Sequence, residues 1–570
     1  MKEFKRLLSF FKKFILVLIG GWIALIVVDL IQVIFPQFLR IIIDNITGKT
    51  PSLKLILTYS IVILISSVFI LLLRYVWRVL MAGVSSNLIK YVRELLFSHL
   101  TVQPTSFFYE HKVGKMMAHL TNDVDAVRMA FMPGIIVLTD IMLMGGLVIA
   151  FMITLSWRLT LFIMIPMPFL YLFVRIVGKQ IYKKFKNVQE SFSNLTAFVS
   201  ESISGIKVIK SYAKEEERTK SYEKQSRDYF KKNISLVKIW GVFGPGMVLF
   251  SNISSIILLY LGGIKVIGGE LSIGEFVAFE GYVGLFIWPV IGMGWVIDIF
   301  QRGSASMARI NKLLSIPGEE KGGIEEKPSG DIVFKNLIFS YNKRRVLDNI
   351  NLKIKKNKKI GICGKIGGGK STLLNIIPRI IEPPDGCVFI GDQDIKKLKL
   401  SVLRNEIAFV PQDSFLFSTT ISENIKFGNP HATEEEILKV AQIAEIKDEI
   451  NEFPEGMNTM VGERGVTLSG GQKQRISIAR ALLLNRSYLI LDDSLSSVDS
   501  ETEEKIIKNI LNFLKNKTVI ISSHRFKIFN YVDEIIVIDS GKIVEKGTHK
   551  ELIKKRKLYY LLWKLQNIEN

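Results

Sequence analysis

The sequence predicts an all-α membrane domain fused to an α/β domain, and three observations support this fold class. Long apolar runs fill roughly the first 300 residues, and several are long enough to cross a bilayer. The residues that follow alternate charged and apolar positions, as globular domains do. Within this second part, an apolar strand, a glycine-rich loop and an apolar helix follow one another directly.

The composition favours a membrane protein over a nucleic-acid-binding one. Of the 570 residues, 48% are hydrophobic, and the mean hydropathy of +0.29 is high for a soluble enzyme of this length. The formal net charge is +22, a value that nucleic-acid-binding proteins also reach. Basic cytoplasmic loops of a membrane protein explain it more simply, so we expect no nucleic-acid partner. The cysteines, Cys363 and Cys387, form no disulfide framework and fit a reducing cytosol.

Six apolar runs predict six transmembrane helices. A span needs roughly 20 apolar residues, and the runs that qualify are 14–36, 53–77, 131–155, 159–177, 240–263 and 276–300. The loops after the second and fourth runs are long, basic and helical in pattern, which predicts long intracellular extensions. The basic loops place the N-terminus and the C-terminal domain in the cytoplasm. We expect a transmembrane domain at 1–305, a linker at 306–330 and the second domain at 331–570.

Three acidic residues lie inside the predicted spans, namely Asp29, Asp140 and Glu280. Ionisable groups are costly in lipid and usually face a cavity or a partner. One interpretation is that they attract a cationic substrate. The other is that they form hydrogen bonds between helices, and the sequence leaves both open.

The glycine-rich loop fits the P-loop pattern of glycine, four residues and Gly-Lys-Ser/Thr. Its residues are Gly364, Lys365, Ile366, Gly367, Gly368, Gly369, Lys370, Ser371 and Thr372. The glycines allow backbone N–H groups to surround the phosphates of a nucleotide. Lys370 should reach the β- and γ-phosphates, and the Ser371 hydroxyl should bind Mg²⁺. The loop therefore predicts binding of ATP with Mg²⁺.

A second element of the same kind of site is the stretch LILDDSLSSVD at 489–499. An apolar strand leads into Asp492, which is placed to hold Mg²⁺ directly or through water. Asp493 follows, at the position where nucleotide hydrolases often carry the residue that activates the attacking water.

These motifs, together with LSGGQ at 468–472, resemble the ATP-binding cassette (ABC) proteins. The resemblance implies that Ser469, Gly470, Gly471 and Gln472 bind the ATP held by an opposite nucleotide domain. It also implies that Tyr341 stacks on adenine, that Gln412 senses Mg²⁺ and that His524 contacts the γ-phosphate. The stretch TMVGERG at 459–465 resembles a loop that crosses between subunits, and 496–499 resembles the D-loop.

The membrane half is similar to the type I exporter domain (type IV fold) of the same family. LTNDVDAVR at 120–128 and ISGIKVIKSYAKEEE at 203–217 resemble its intracellular loops. One membrane domain fused to one nucleotide domain is a half-transporter, so the resemblance implies a dimer. It also implies ATP-driven export of an amphipathic compound, such as a drug or a lipid, across the cytoplasmic membrane.

Asp493 departs from the family pattern, which has glutamate at this position. Its side chain is shorter by one methylene, so its carboxylate reaches about 1.5 Å less far. The position and the intact LSGGQ resemble the degenerate-site subunit of heterodimeric exporters, whose partner supplies the catalytic glutamate and an altered signature. A homodimer with slow aspartate catalysis, exporting a lipid or a peptide, is the rival interpretation. A nucleotide-gated regulatory subunit and an importer are further alternatives.

Overall fold

A computed structural model describes residues 2–319, 322–342, 344–462, 465 and 468–568. The chain separates into two compact units. The membrane unit comprises Met1–Val102 and His111–Pro317, and the α/β unit comprises Gln103–Glu110 and Gly318–Asn570. A short segment from between two membrane helices thus belongs to the α/β unit.

Long helices dominate the membrane unit. In chain order the α-helices up to residue 314 are α1 (Leu8–Lys13), α2 (Ile15–Thr47), α3 (Leu53–Leu100), α4 (Thr105–Glu110), α5 (Val113–Ala118), α6 (Val124–Phe131), α7 (Pro133–Met164), α8 (Pro166–Ser204), α9 (Ile206–Ser211), α10 (Glu215–Ile257), α11 (Gly263–Ile267) and α12 (Ile273–Leu314). Of these, α4 lies in the α/β unit. A 3₁₀-helix at Lys2–Leu7 precedes α1, and π-helical turns occupy His119–Asp123 and Leu258–Gly262.

Most of the predicted spans coincide with these helices. Within the described ranges, five helical stretches are long and apolar enough to cross a membrane: Ile15–Thr47, Leu53–Leu100, Val113–Met164, Glu215–Ile267 and Ile273–Leu314. Several run far beyond the hydrocarbon thickness, as the helical pattern of the long loops predicts. The α3 helix, for example, continues without interruption to Leu100.

The predicted fourth span, at 159–177, is divided between two helices. Inside α7, Ser156 has an extended backbone (φ −164°, ψ 106°), which breaks the helix beside the predicted short loop at Trp157. Helical dihedral angles continue through Ile165 into α8. The α8 helix soon becomes basic, at Arg175 and Lys179, so it is not apolar enough on its own. A total of six spans stays a prediction.

Polar contacts fix one end of the pair formed by α2 and α12. Ser272 caps α12 in a reciprocal capping box with Glu275. Asp44 of α2 accepts hydrogen bonds from the Ser272 hydroxyl (2.9 Å) and the Gly274 N–H (2.8 Å). Arg40, one turn earlier on α2, pairs with Glu275 at 2.8 Å. These groups satisfy one another where the two helices meet.

The end of the membrane unit differs from the sequence prediction. The α12 helix continues through Leu314, so residues 306–314 of the predicted linker are helical. Met307, Ile310 and Leu313 are buried at helical spacing, which explains why this segment stays ordered as a helix. The two units divide at Pro317 and Gly318.

The α/β unit is built on two sheets in its described residues. The strands are β1 (Ile332–Tyr341), β2 (Arg344–Ile354), β3 (Lys359–Gly364), β4 (Val388–Ile390), β5 (Gln393–Asp394), β6 (Ile407–Val410), β7 (Tyr488–Asp492), β8 (Thr518–Ser522), β9 (Glu534–Asp539) and β10 (Lys542–Gly547). The order in the antiparallel sheet is β2-β1-β4-β5, and in the second sheet it is β10-β9-β3-β8-β7-β6. In the second sheet β6, β7, β8, β3 and β9 are parallel.

Helices cover the second sheet, whose central strands β3, β7 and β8 are buried on both faces. The helices are α13 (Lys370–Ile376), α14 (Leu400–Glu406), α15 (Ile421–Lys426), α16 (Glu434–Ile443), α17 (Lys447–Glu452), α18 (Gly470–Leu483), α19 (Ser500–Phe513), α20 (His549–Lys555) and α21 (Leu558–Ile568). Along β7, Leu489 and Leu491 enter one hydrophobic core while Tyr488 and Ile490 enter the other. This alternation with burial on both sides is typical of a parallel sheet. The carboxyl ends of β3, β7 and β8 meet at one edge, where ligands bind in such sheets.

Candidate functional site

The P-loop follows β3 and leads into α13. Gly364 has φ +145°, and a Cβ there would lie 1.9 Å from the Ile538 oxygen, so only glycine fits. Gly369 precedes α13 with φ +102°, also a left-handed conformation that favours glycine. The loop therefore needs glycine at these points to turn tightly, as the sequence motif predicts.

Lys370 is buried and points back into the loop. Its ammonium donates to the carbonyl oxygens of Gly364 and Lys365, each at 3.0 Å. Burial lowers the pKa of Lys370, and the carboxylates of Asp492 and Asp493 oppose that shift. The lysine is thus held inside the loop. When a nucleotide binds, a phosphate oxygen would replace these carbonyl oxygens as the acceptor of its hydrogen bonds.

The hydroxyl and carboxylate expected to hold Mg²⁺ lie side by side. Ser371 Oγ, at the start of α13, donates a hydrogen bond to Asp492 Oδ1, at the end of β7, at 3.1 Å. Burial raises the pKa of Asp492, and the Ser371 hydrogen bond opposes the shift. Among the described residues, no group of three or more His, Cys, Asp or Glu side chains could hold a metal alone. Such a sparse oxygen set fits Mg²⁺, which usually keeps water and substrate phosphates as further ligands.

Asp493 lies beside Asp492 at the same sheet edge. Its Oδ2 accepts a hydrogen bond from Gln412 Nε2 at 3.4 Å, so these two predicted site residues are neighbours. Its N–H donates to the Ser522 oxygen at the end of β8. The backbone of Asp493 is left-handed, with φ +46°. Aspartate occupies that region more readily than most residues, because its short polar side chain can form hydrogen bonds to the nearby backbone.

His524 follows β8 and faces the same edge. Burial lowers its pKa, the charge of Lys370 lowers it further, and Asp493 opposes both effects. Burial raises the pKa of Asp493, and the nearby His524 opposes that shift. The histidine is therefore neutral at neutral pH, with an imidazole available for hydrogen bonding.

The LSGGQ signature forms the start of α18. Ser469 is the N-cap, and its hydroxyl accepts from the Gln472 N–H (3.2 Å) while Gln472 Oε1 accepts from the Ser469 N–H (2.9 Å). Gly470 and Gly471 pack against Ser497, because a Cβ on either would lie 3.2 Å or less from an atom of Ser497. The helix thus begins at the exposed residues Ser469 and Gly470, and helix N-termini are common binding sites for anions.

Gln474 connects the signature helix to the D-loop. Its Nε2 donates to Ser496 Oγ at 3.1 Å, and its Oε1 accepts from the Ser497 N–H at 2.9 Å. The sequence reasoning missed this residue, although its amide stands two residues after the signature. Glu449 was also missed; it accepts from Gln472 at 3.0 Å, and no sequence signal pointed to it.

The remaining predicted nucleotide contacts differ in their exposure. Tyr341 is 44% exposed at the end of β1 and packs edge-on against Phe339. Ile366 at the loop tip is 91% exposed, and Lys365 faces Asp539 at 3.4 Å. Thr372 is buried within α13. Of the predicted cross-subunit loop, Glu463 and Arg464 lie outside the described residues.

The acidic residues of the membrane unit separate into two places. Asp29 and Asp140 line one cavity between α2, α3, α7 and α12, together with Arg74 and Arg78. Glu280 lies elsewhere: it is exposed and accepts a hydrogen bond from Ser255 of α10 at 2.8 Å. The structure therefore joins two of the three residues expected at a substrate site. The arginines were missed, although Arg74 lies within the predicted span at 53–77.

Comparison with known proteins gives one consistent family. Residues 18–290 match the family described as ABC transporter transmembrane region, and residues 347–496 match the family described as ABC transporter. The multidrug resistance-like ATP-binding protein MdlA of Escherichia coli is 36% identical over 100% of this chain and 97% of its own length. The probable multidrug resistance ABC transporter ATP-binding/permease protein YheI of Bacillus subtilis is 36% identical over 96% of this chain and 95% of its own length.

A solved structure shares the fold. It is a bacterial Atm1-family ABC exporter with ATP bound, superimposable with a TM-score of 0.79 over 96% of this chain and 99% of that one, at 23% identity. The fold, the P-loop geometry and the full-length relatives agree. The chain therefore belongs to the ABC transporter family, as a multi-pass protein of the cytoplasmic membrane whose cytoplasmic domain binds and hydrolyses ATP to drive transport.

Proposed function

We propose that this chain is one half of an ATP-driven exporter of amphipathic small molecules, and that it pairs with a different half-transporter. The relatives MdlA and YheI are named for multidrug resistance, which supports an amphipathic drug or lipid-like substrate. Asp493 is the observation that carries the proposed pairing, because the catalytic glutamate of the family is replaced by a shorter side chain. In this arrangement the Walker motifs of this chain form the slow site.

The residues of the α/β unit suit the following division of work. Lys370 binds the β- and γ-phosphates, and His524 donates to the γ-phosphate as a neutral imidazole. Ser371, Asp492 and Gln412 would hold Mg²⁺, which neutralises phosphate charge when bound. Tyr341 and the rest of the P-loop hold the nucleotide. Together these groups bind ATP firmly whether or not it is split.

The geometry of Asp493 supports slow hydrolysis. A general base acts over roughly 2.6–3.2 Å from its water, and this carboxylate reaches about 1.5 Å less far than a glutamate. A misplacement of that size costs on the order of 100-fold in rate. The contact between Asp493 and Gln412 draws the carboxylate toward a neighbouring side chain of the same site.

The signature of this chain would serve the partner's ATP. Ser469 to Gln472 form an intact capped helix start, whose N–H groups suit the γ-phosphate of a nucleotide on the opposite domain. ATP at both sites would then draw the two nucleotide domains together and turn the membrane cavity outward. Hydrolysis at the partner's site would reverse the change.

Two alternatives make different predictions. A homodimer would depend on Asp493 at both of its sites, with slow turnover. A nucleotide-gated regulatory subunit would bind ATP without net pumping, and ATP-dependent uptake into inside-out vesicles would not occur.

Substitutions at Asp493 in the purified, membrane-extracted complex separate the two dimers. In the heterodimer, Asp493→Asn leaves the ATPase rate nearly unchanged, because a site that is about 100-fold slower contributes about 1% of turnover. Asp493→Glu then raises the rate by no more than about twofold, since one further site becomes active. In the homodimer, Asp493→Asn abolishes turnover and Asp493→Glu raises it by up to about 100-fold.

Mass spectrometry of the same complex is the independent check. Affinity capture of this chain should recover a second half-transporter in equal amount. Recovery of this chain alone, with robust ATPase activity that Asp493→Asn removes, would refute the heterodimer.

A further inference from the structure

The cavity between α2, α3, α7 and α12, here called the polar cavity, has the size of a ligand site. Its volume is about 440 Å³, within the range of roughly 300–1,000 Å³ that is typical of small-molecule pockets. Asp29 comes from α2, Arg74 and Arg78 from α3, and Asp140 from α7. Four helices thus contribute to one space, and the charges face it from three of them.

Asp29 is buried without a partner for one of its oxygens. Its exposure is 3%, and Oδ2 accepts no hydrogen bond within the described part of the chain. Asp140 Oδ2 accepts from Trp288 Nε1 at 3.4 Å, which is long for a hydrogen bond. An uncompensated buried carboxylate costs several kcal/mol or shifts its protonation. Such a group in a membrane bundle is therefore expected to serve a ligand.

The arginines of the polar cavity are exposed, unlike Asp29. Arg74 and Arg78 lie one helical turn apart on the same face of α3. Neither forms an ion pair within 4.0 Å among the residues that the structure describes, although the charge of Arg74 acts on Asp29 and Asp140. If the aspartates and arginines served only packing, they would be expected to pair with each other. Instead they line the same space as separate groups of opposite charge.

Aromatic and apolar surfaces complete the polar cavity. Trp77 and Trp288 line it, with Leu25, Val28 and Met144. Indole faces pack against flat rings and attract cations. The formal charges of the described lining residues cancel, so a simple cation would meet two arginines as well as two carboxylates.

We propose that the polar cavity binds amphipathic zwitterions. An ammonium group of the ligand pairs with Asp29 and Asp140, and a carboxylate or phosphate group pairs with Arg74 and Arg78. A flat or aliphatic body lies against Trp77 and Trp288. This inference rests on the proposed export function and narrows its substrate class. It replaces the interpretation that the acidic residues attract a purely cationic substrate.

Three forms of one fluoroquinolone test the charge requirement. Ciprofloxacin is a zwitterion at neutral pH, its ethyl ester is a cation and its N-acetyl derivative is an anion. Binding to the purified full-length transporter in nanodiscs is measured by equilibrium dialysis without ATP. We expect ciprofloxacin to bind at least about tenfold more tightly than the ester or the N-acetyl form, since each loses one charge-assisted contact. Equal affinities, or no binding of ciprofloxacin, would overturn the proposal.

Variants assign each charge to its partner. Asp29→Asn should weaken ciprofloxacin and the ester by about tenfold and leave the N-acetyl form unchanged. The double variant Arg74→Gln with Arg78→Gln should weaken ciprofloxacin and the N-acetyl form but not the ester. Glu280→Gln is the matched control, because Glu280 is acidic and lies in the membrane unit but outside the polar cavity. It should change none of the three affinities.

The outcomes separate this inference from the export function. A variant that weakens the binding of all three probes equally is misfolded rather than altered in charge recognition. If both variants do so, the assignment of Asp29 to the ammonium group and of the arginines to the acidic group is wrong. If the arginines pair with a partner half-transporter instead, their replacement leaves binding of the N-acetyl form intact, which also overturns the proposal. ATP-dependent uptake of ciprofloxacin into inside-out vesicles tests export separately. Binding without uptake would refute export and leave the polar cavity in place.

Discussion

The two candidate sites of this chain hold their polar groups in opposite ways. In the P-loop, Lys370 donates to loop carbonyls and Ser371 donates to Asp492, so the side chains are already engaged. In the polar cavity, Asp29 has an oxygen without a partner in the described structure, and Arg74 acts on Asp29 and Asp140 without forming an ion pair with either. A site for one fixed ligand can be preorganised by its own residues. In a site for variable ligands, some charged side chains stay unpaired until a ligand binds and pairs with them.

The largest expected effect is at Lys370. Replacing it with alanine removes a buried ammonium whose bonds to phosphate are charge-assisted, each stabilising by about 1.5–3 kcal/mol. ATP affinity at this site should fall at least about 100-fold, measured with a fluorescent ATP analogue. Lys358→Ala, outside the loop and paired with Asp533 at the surface, is the control and should change affinity less than about threefold. Similar losses for both variants would mean that general positive charge, rather than the buried contact, binds ATP.

Thermal stability tests the contrast between satisfied and unsatisfied carboxylates within the membrane unit. Asp44→Leu leaves the Ser272 hydroxyl and the Gly274 N–H without their acceptor, so it should destabilise by about 1–3 kcal/mol. Asp29→Leu removes an unpartnered buried carboxylate and should stabilise, or at least not destabilise. Scanning fluorimetry of the solubilised transporter measures both. A loss of stability at Asp29 equal to that at Asp44 would show that Asp29 has a structural partner.

Two capping boxes of the α/β unit separate folding from catalysis. Ser469→Ala and Thr433→Ala each remove a helix N-cap with the same reciprocal geometry, and each should cost about 1 kcal/mol of stability. Ser469→Ala should also lower the ATPase rate of the complex about tenfold, because its hydroxyl is proposed to meet a phosphate. Thr433→Ala should leave the rate unchanged. Equal ATPase rates in the two variants would place Ser469 outside the site.

The smallest expected effect concerns His524 and pH. Its pKa is lowered in the structure by burial and by Lys370, so the free protein protonates it only below the ordinary pKa near 6.5. ATP brings negative charge, which favours the protonated ring and raises that pKa. ATP affinity should therefore increase by about two- to threefold as pH falls from 7 to 5.5, relative to His524→Gln. The variant corrects for the titration of ATP itself, and parallel profiles would show that His524 does not sense the phosphate.

The sequence predicted the α/β site far better than the membrane site, for a physical reason. The P-loop requires glycine at positions 364 and 369, because the backbone angles are left-handed and a Cβ would clash with neighbouring atoms. Such requirements produce a recognisable sequence motif. The polar cavity needs only that charges from distant helices meet. Asp29 and Asp140 could be noticed as acids in apolar runs, but nothing in the sequence separated them from Glu280. That separation depends on helix rotation and packing.

The sequence also failed to predict the local geometry at two other places. The break near Trp157 was expected, but the division of the fourth predicted span between α7 and α8 was not. Pro166 begins α8 while the backbone before it keeps helical dihedral angles. Residues 306–314 were assigned to a linker, yet they remain helical because their apolar side chains are buried. Burial is a property of the fold that composition does not report.

The left-handed backbone at Asp493 has a consequence for how such a chain evolves. The codons of aspartate and glutamate differ by one base, so exchange between them is a single mutational step. The φ of +46° makes that step uneven, because aspartate enters this conformation more readily than a longer side chain. In the proposed heterodimer, where a partner would supply the turnover, an aspartate at this position would relieve the backbone without loss of function. The backbone conformation would then favour keeping the aspartate.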